Sequence, residues 1–152
     1  MEWMLMPLRK FAQFGGRSRR TEYWMFFVFN ILVGVVTNLV DRLLGLGAVG
    51  IDTFATLALL IPNAALWVRR LHDVNRSGWW IWTIITPAGL ILQQAWGREN
   101  EPVTNGIMVL AGLLVVAAIW NLVLMLLPGT KGPNNFGPDP KNPDGDLQSV
   151  FS

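Results

Sequence analysis

Long apolar windows alternate along this chain with short charged segments. Four windows contain no Asp, Glu, Lys or Arg: Tyr23 to Val40, Thr53 to Val68, Ser77 to Gly97 and Pro102 to Thr130. A helix needs about 20 apolar residues to cross the ~30 Å hydrocarbon layer of a bilayer. The first, third and fourth windows meet that with a few flanking residues, whereas the second is shorter and contains Pro62. Strands of a membrane barrel would alternate polar and apolar positions, and these windows do not. The pattern predicts an all-α polytopic membrane protein with four transmembrane helices. The first window exceeds the apolar core of a signal peptide, about 7–15 residues, so it is read as a retained span.

Finer features set the expected boundaries. Met4, Leu8 and Phe11 recur at helical spacing with Arg9 and Lys10 between them. This predicts a short N-terminal helix over residues 2–14, lying on the membrane surface and broken by Gly15 and Gly16. Ser18 is the expected N-cap of span one, and Glu22 in its first turn suits the positive end of the helix dipole. Pro62 and Pro87 predict kinks in spans two and three. The short turn Asn75 to Gly78, with Ser77 as a cap, joins those spans as an antiparallel hairpin. Span four is expected from Gly106 to Leu127, ending at Pro128-Gly129. Residues 1–140 form the expected four-helix domain. Residues 141–152 are expected to be a disordered tail.

Charge then orients the bundle. Charged residues are 14% of the chain, roughly half the share in a soluble domain. The N-terminal segment carries Arg9, Lys10, Arg17, Arg19 and Arg20, the middle loop Arg69, Arg70 and Arg76, and the tail Lys131 and Lys141. The two other loops hold only Arg42 and Arg98. Ten against two is a strong positive-inside imbalance. Both termini and the middle loop are therefore expected on the cytoplasmic side. Tyr23, Trp24, Trp67, Trp79 and Trp80 fall at the expected cytoplasmic ends, where amphipathic rings anchor at headgroup level. The implied partner is the bilayer itself, anionic lipids above all, with a homo-oligomer or another membrane protein as further partners. Nothing suggests nucleic acid.

The chemistry is sparse. No ionisable group lies within the four windows, which argues against a proton-coupled pump. One histidine and no cysteine make a metal site improbable, no cofactor motif is present, and no catalytic residue is assigned. No Walker loop, GxSxG or HExxH occurs, so an enzyme is the least supported class. Asn30, Asn63 and Asn121 each lie about 9–11 Å below the expected cytoplasmic boundary at 1.5 Å per residue. Two readings stand for them: interhelical hydrogen-bond glue, or one buried polar cluster opening to the cytoplasm.

Three segments share the expected cytoplasmic face: FGGRSRRTEYW (14–24), RRLHDVNRSGWW (69–80) and PGTKGPNNFGP (128–138). Together they gather Arg17, Arg20, Arg69, Arg70, Arg76 and Lys131 with Glu22, His72, Asp73 and Asn135. This set suits a phosphate or another anion. The plainer reading is topology anchors against anionic lipid, each worth about 1 kcal/mol near the surface. The tail segment goes beyond an anchor, because its Pro and Gly residues specify a backbone course rather than a charge. It is expected to fold back over the membrane face with Phe136 as its anchor. Asp73 cannot readily orient its neighbour His72, since adjacent helical residues point about 100° apart. Glu22 is the expected partner of His72 or Arg69.

The order GRSRRTEYW, RRLHDVNRSGWW, PGTKGPNNFGPDP among four spans resembles the bacterial family called domain of unknown function 805. The likeness runs from about Leu8 to Pro140, and the segment holding Arg69, Arg70, Leu71, His72, Asp73, Ser77, Gly78 and Trp79 is its most specific part. Gly15-Gly16 departs from it, standing where a bulkier residue commonly precedes the glycine. The resemblance implies the bacterial cytoplasmic membrane and transfers no catalytic residue. Three functions fit: a module binding an anionic headgroup or phosphorylated small molecule, an adaptor docking a protein through Phe136 or Phe151, and a small oligomeric channel or transporter lined by the three asparagines.

Overall fold

The computed structural model describes residues 2–47, 49–96 and 104–142. Five α-helices follow one another: α1 (Glu2–Arg9), α2 (Arg20–Leu44), α3 (Ile51–Asp73), α4 (Trp82–Ala95) and α5 (Asn105–Leu126), with a 3₁₀ turn at Gly78–Ile81 leading into α4. The described residues contain helices and no strand beyond one isolated bridge, Asn134 to Gly137.

Three helices are long and apolar enough to cross a membrane: α2, α3 and α5, with 25, 23 and 22 residues. At 1.5 Å per residue they span about 37, 34 and 33 Å. Only 6%, 17% and 11% of their most apolar windows are buried within the protein. A soluble bundle would hide a far wider apolar stripe, so these faces meet lipid. The third window divides differently. Its first residues tighten into the 3₁₀ turn, after Ser77 caps the chain by accepting the Trp79 amide at 3.4 Å. α4 itself has 14 residues and continues through Pro87.

The ends of the elements follow local chemistry. α2 ends at Gly45, whose φ of 64° is a left-handed value that glycine adopts freely. α3 ends in a Schellman turn through Asn75 at φ 57°, with the Arg76 amide donating to the Leu71 carbonyl at 2.9 Å. α1 stops at Arg9, short of the expected residue 14. Ser18 is not the cap of α2. That position is Arg19, which makes no side-chain cap bond, while Ser18 is fully buried and its amide donates to the Arg69 carbonyl at 3.1 Å. The expected disordered tail lies outside the described residues from 143 onward.

Two antiparallel hairpins result, α2 with α3 and α4 with α5, and α1 packs on α2 and α3. The hairpins meet at one end. There Leu71, Leu124 and Met125 are buried beneath Tyr23, Trp24, Trp67, Val74 and Trp80. This is also where the arginines concentrate, the basic end of the molecule. At the opposite end of the first hairpin, Asp41 accepts the amides of Ile51 and Asp52 at 2.8 and 2.9 Å. A carboxylate thus satisfies two orphan donors at the positive end of α3.

Candidate functional site

The basic end is organised by two adjacent arginines. Arg69 and Arg70 are successive residues of a helix, so their side chains leave it about 100° apart. Arg69 turns to α2 and meets the Glu22 carboxylate at 3.3 Å. Arg70 turns to α5 and to Asp73, three residues on and therefore on the same face. Both guanidiniums are almost fully buried, 1% and 0% exposed, so each needs a counter-charge.

Asp73 is the hub. Arg70 Nη1 pairs with one of its oxygens and Arg17 Nε donates to the other at 3.0 Å. Arg17 comes from 56 residues away in sequence. Its remaining donors reach the tail, with Nη1 on the Gly132 carbonyl at 2.6 Å and Nη2 on that of Thr130. The Asp73 carbonyl in turn accepts the Thr130 amide at 2.9 Å. Gly129 makes this close approach feasible, since a Cβ there would lie within the Asp73 carboxylate. One buried carboxylate thus ties the segment before α2, the end of α3 and the tail together.

The same arginines close α5. A helix leaves its last carbonyls without intrahelical donors, and in a membrane each unsatisfied group is costly. Arg70 donates to the carbonyls of Met125 and Leu127, and Arg20 Nη1 to that of Leu126 at 3.1 Å. These cations also sit at the negative end of the α5 dipole.

The tail folds back as expected. Phe136 stacks on His72 with ring centroids 4.0 Å apart and planes 4° from parallel. His72 Nδ1 lies 3.1 Å from the Gly16 carbonyl, the geometry of a donating Nδ1–H. Asn134, rather than Asn135, does the polar work. Its Nδ2 donates to the His72 carbonyl at 2.9 Å and its Oδ1 accepts the Phe136 amide at 2.9 Å, while Asn135 is exposed. Asp139 accepts the amides of Lys141 and Gly132. The Lys141 amide, helped by that of Gly132, holds its carboxyl below the ordinary value of 3.8.

The anion-site residues therefore divide. Arg17, Glu22, Arg69, Arg70 and Asp73 are buried, His72 is half-buried, and all six join the inner network or the tail clamp around it. Arg20, Arg76 and Lys131 are exposed. Arg76 lies 5.9 Å from the ring centre of Trp80. Three buried donors at this end, Arg69 Nη2, Ser18 Oγ and Trp67 Nε1, have no hydrogen-bond partner among the described residues.

The three asparagines form two pairings rather than one cluster. Asn30 and Asn63 bind each other across the first hairpin, Asn63 Nδ2 donating at 2.8 Å and Asn30 Nδ2 at 3.3 Å. Asn121 donates to Thr83 at 3.0 Å across the second hairpin. Thr83, Thr130 and Asp139 had no distinguishing local signal; a polar residue next to glycines or inside a span was the only hint. Among the described residues no three His, Asp or Glu gather to hold a metal.

The likeness to known proteins covers this site. The family model "Protein of unknown function (DUF805)" matches residues 11–138. The chain is 35% identical over 141 residues to inner membrane protein YhaI of Escherichia coli (strain K12), covering 93% of this chain and 97% of that one. It is 33% identical over 145 residues to inner membrane protein YhaH of the same strain, covering 93% and 98%. No solved structure matches the chain. The matched range takes in the three segments that fold together at the basic end, and the chain belongs to the DUF805 family, whose matched relatives include inner membrane proteins.

Proposed function

We propose that this protein crosses the inner membrane four times with both termini in the cytoplasm, and that its basic end holds the phosphate of an anionic lipid headgroup or of a phosphorylated small molecule. One observation carries the binding role. The acidic residues of segments 14–24 and 69–80, Glu22 and Asp73, are buried against arginines, while Arg20, Arg76 and Lys131 remain at the surface. The outward face is therefore positive, three surface cations standing against the one part-exposed carboxylate of Asp139. Arg17, Arg69 and Arg70 act as its frame. They fix the termini of α3 and α5 and clamp the tail, which keeps the surface cations at a set height.

The fourth crossing is supported by length. The 3₁₀ turn of 4 residues and α4 of 14 together extend about 29 Å at 2.0 and 1.5 Å per residue. The positive-inside imbalance supports the orientation. The adaptor reading is weaker, because Phe136 is engaged by His72.

The test compares lipid retained by the full chain, released from its own membrane in mild detergent, with that retained by an Arg20→Ala/Arg76→Ala/Lys131→Ala variant. A basic residue near an anionic surface is worth up to about 1 kcal/mol, so the triple change should weaken anionic-lipid retention about tenfold or more. Native mass spectrometry reads it directly. Equal retention by both proteins would remove the proposal. Cysteine labelling from either side of the membrane at positions 131 and 105 tests the orientation.

A further inference from the structure

The two hairpins touch at the basic end and are sparsely connected elsewhere. Where α2 and α5 approach, a groove of about 390 Å³ remains, lined by Arg20, Thr21, Trp24, Met25 and Leu126. The four α2 residues are spaced i, i+1, i+4 and i+5, so they form one face of that helix. Leu126 closes the other wall.

We infer that this groove is a specific site for an anionic glycerophospholipid, its phosphate on Arg20 and one acyl chain descending between the hairpins. The inference rests on the basic-end reading above and gives it an address. Arg20 is exposed, and its one hydrogen bond among the described residues goes to the Leu126 carbonyl through Nη1. The guanidinium fork of this exposed residue has further donors, suited to bidentate phosphate recognition. Trp24 lies one turn deeper on the same face, about 6 Å along the axis. Its ring is held edge-on against Tyr23 and Phe27, and its half-buried indole N–H is the donor proposed for the lipid. A glycerophospholipid presents its groups in this order: phosphate first, ester carbonyls one step deeper, then hydrocarbon.

The remaining wall is apolar. Met25 and Leu126 are exposed, as are Val28 and Leu32 further along α2 and Leu122 and Val123 along α5. No acidic group lines the groove. Glu22, the nearest carboxylate along α2, is buried against Arg69. The buried network behind the groove holds three arginines against two acids. The field at the mouth is therefore positive, and it selects an anionic lipid over a zwitterionic one.

The experiment titrates delipidated full-length protein in mild detergent with phosphatidylglycerol, with phosphatidylcholine of the same chains, and with inorganic phosphate. Native mass spectrometry reads occupancy. The variants are Arg20→Ala, the groove-filling Leu126→Trp, and Arg76→Ala/Lys131→Ala outside the groove. Met25→Trp fills the groove from α2 and replaces Leu126→Trp if that protein does not elute as the wild type. The expected result is one tightly held phosphatidylglycerol, weakened about tenfold or more by Arg20→Ala and by the groove-filling change, and to a smaller extent by Arg76→Ala/Lys131→Ala, whose cations lie outside the groove and act only through the shared positive field. Undiminished binding after groove filling, with loss in Arg76→Ala/Lys131→Ala, overturns the groove and leaves the basic-face reading standing. Competition by inorganic phosphate at equal concentration also overturns it, because the chain then contributes nothing. No preference for phosphatidylglycerol over phosphatidylcholine in the wild type overturns the groove and, with it, the lipid-headgroup form of the basic-face reading.

Discussion

Replacing Asp73 by Asn should be among the most damaging isosteric changes in this protein. The side chain keeps its size, so packing is preserved. What is lost is the negative charge between two buried guanidiniums, Arg17 and Arg70, whose side chains are 1% and 0% exposed. Removing one partner of a buried ion pair costs about 3–5 kcal/mol, chiefly because the other charge is left uncompensated. Here two charges are left, which pushes the effect upward. Retained hydrogen bonds work against this. Arg70 keeps the Met125 and Leu127 carbonyls, and Arg17 keeps those of Gly132 and Thr130. Bonds from a charged group are worth about 1.5–3 kcal/mol each, so the arginines are cushioned. The expected loss is about 3–4 kcal/mol. Equilibrium unfolding in mixed mild-detergent and dodecyl sulfate micelles, followed by tryptophan fluorescence, measures it. The tail should loosen first, seen as faster amide exchange at Thr130 and Gly132 under conditions where α2 stays protected. A loss under about 1 kcal/mol, with the tail amides unchanged, would refute the account of Asp73 as a buried hub.

Three further outcomes follow from the same geometry. Gly129→Ala places a methyl group within the Asp73 carboxylate; overpacking of this kind costs about 1–3 kcal/mol, and proteolysis between residues 130 and 140 should accelerate while the helices persist. Asp139 has a folded-state pKa below 3.8, so the unfolded carboxyl binds protons first as pH falls. Its contribution to holding the tail is complete above the unfolded value and disappears as pH drops through the lowered folded value; exchange at the Lys141 and Gly132 amides should rise there, and Asp139→Asn should abolish that step. Asn63→Leu removes the paired amide of Asn30, and such membrane hydrogen bonds average about 0.6 kcal/mol; unfolding in the same micelles should shift by less than about 1.5 kcal/mol, and a larger loss would mark the pair as more than glue.

Much of the fold was legible before any coordinates. Asn75, Gly78 and the Pro128-Gly129 stop are local signals, and each marks a real boundary because it acts on its own backbone. The pairing of Glu22 with Arg69 was within reach, since both carry charge near the same expected boundary. Less legible was the division of labour among arginines. Seven basic residues in three segments look alike in composition, yet Arg17 and Arg70 lie inside and Arg20 and Arg76 outside. Likewise, three asparagines at one expected depth look like one cluster, but Asn121 finds Thr83 in its own hairpin.

What the sequence alone determined is the membrane character, the sorting of charge and the order of the family's segments. Apolar length and the positive-inside bias act on each stretch separately, so a linear reading captures them. What only the tertiary structure decided is which of these groups meet. Arg17 reaches Asp73 across 56 residues and Gly132 across 115, and no local pattern encodes such distances. Those contacts exist because two hairpins are locked together at one end. A charge buried there must find its partner wherever in the chain it lies, while the same charge a turn away stays exposed at the surface.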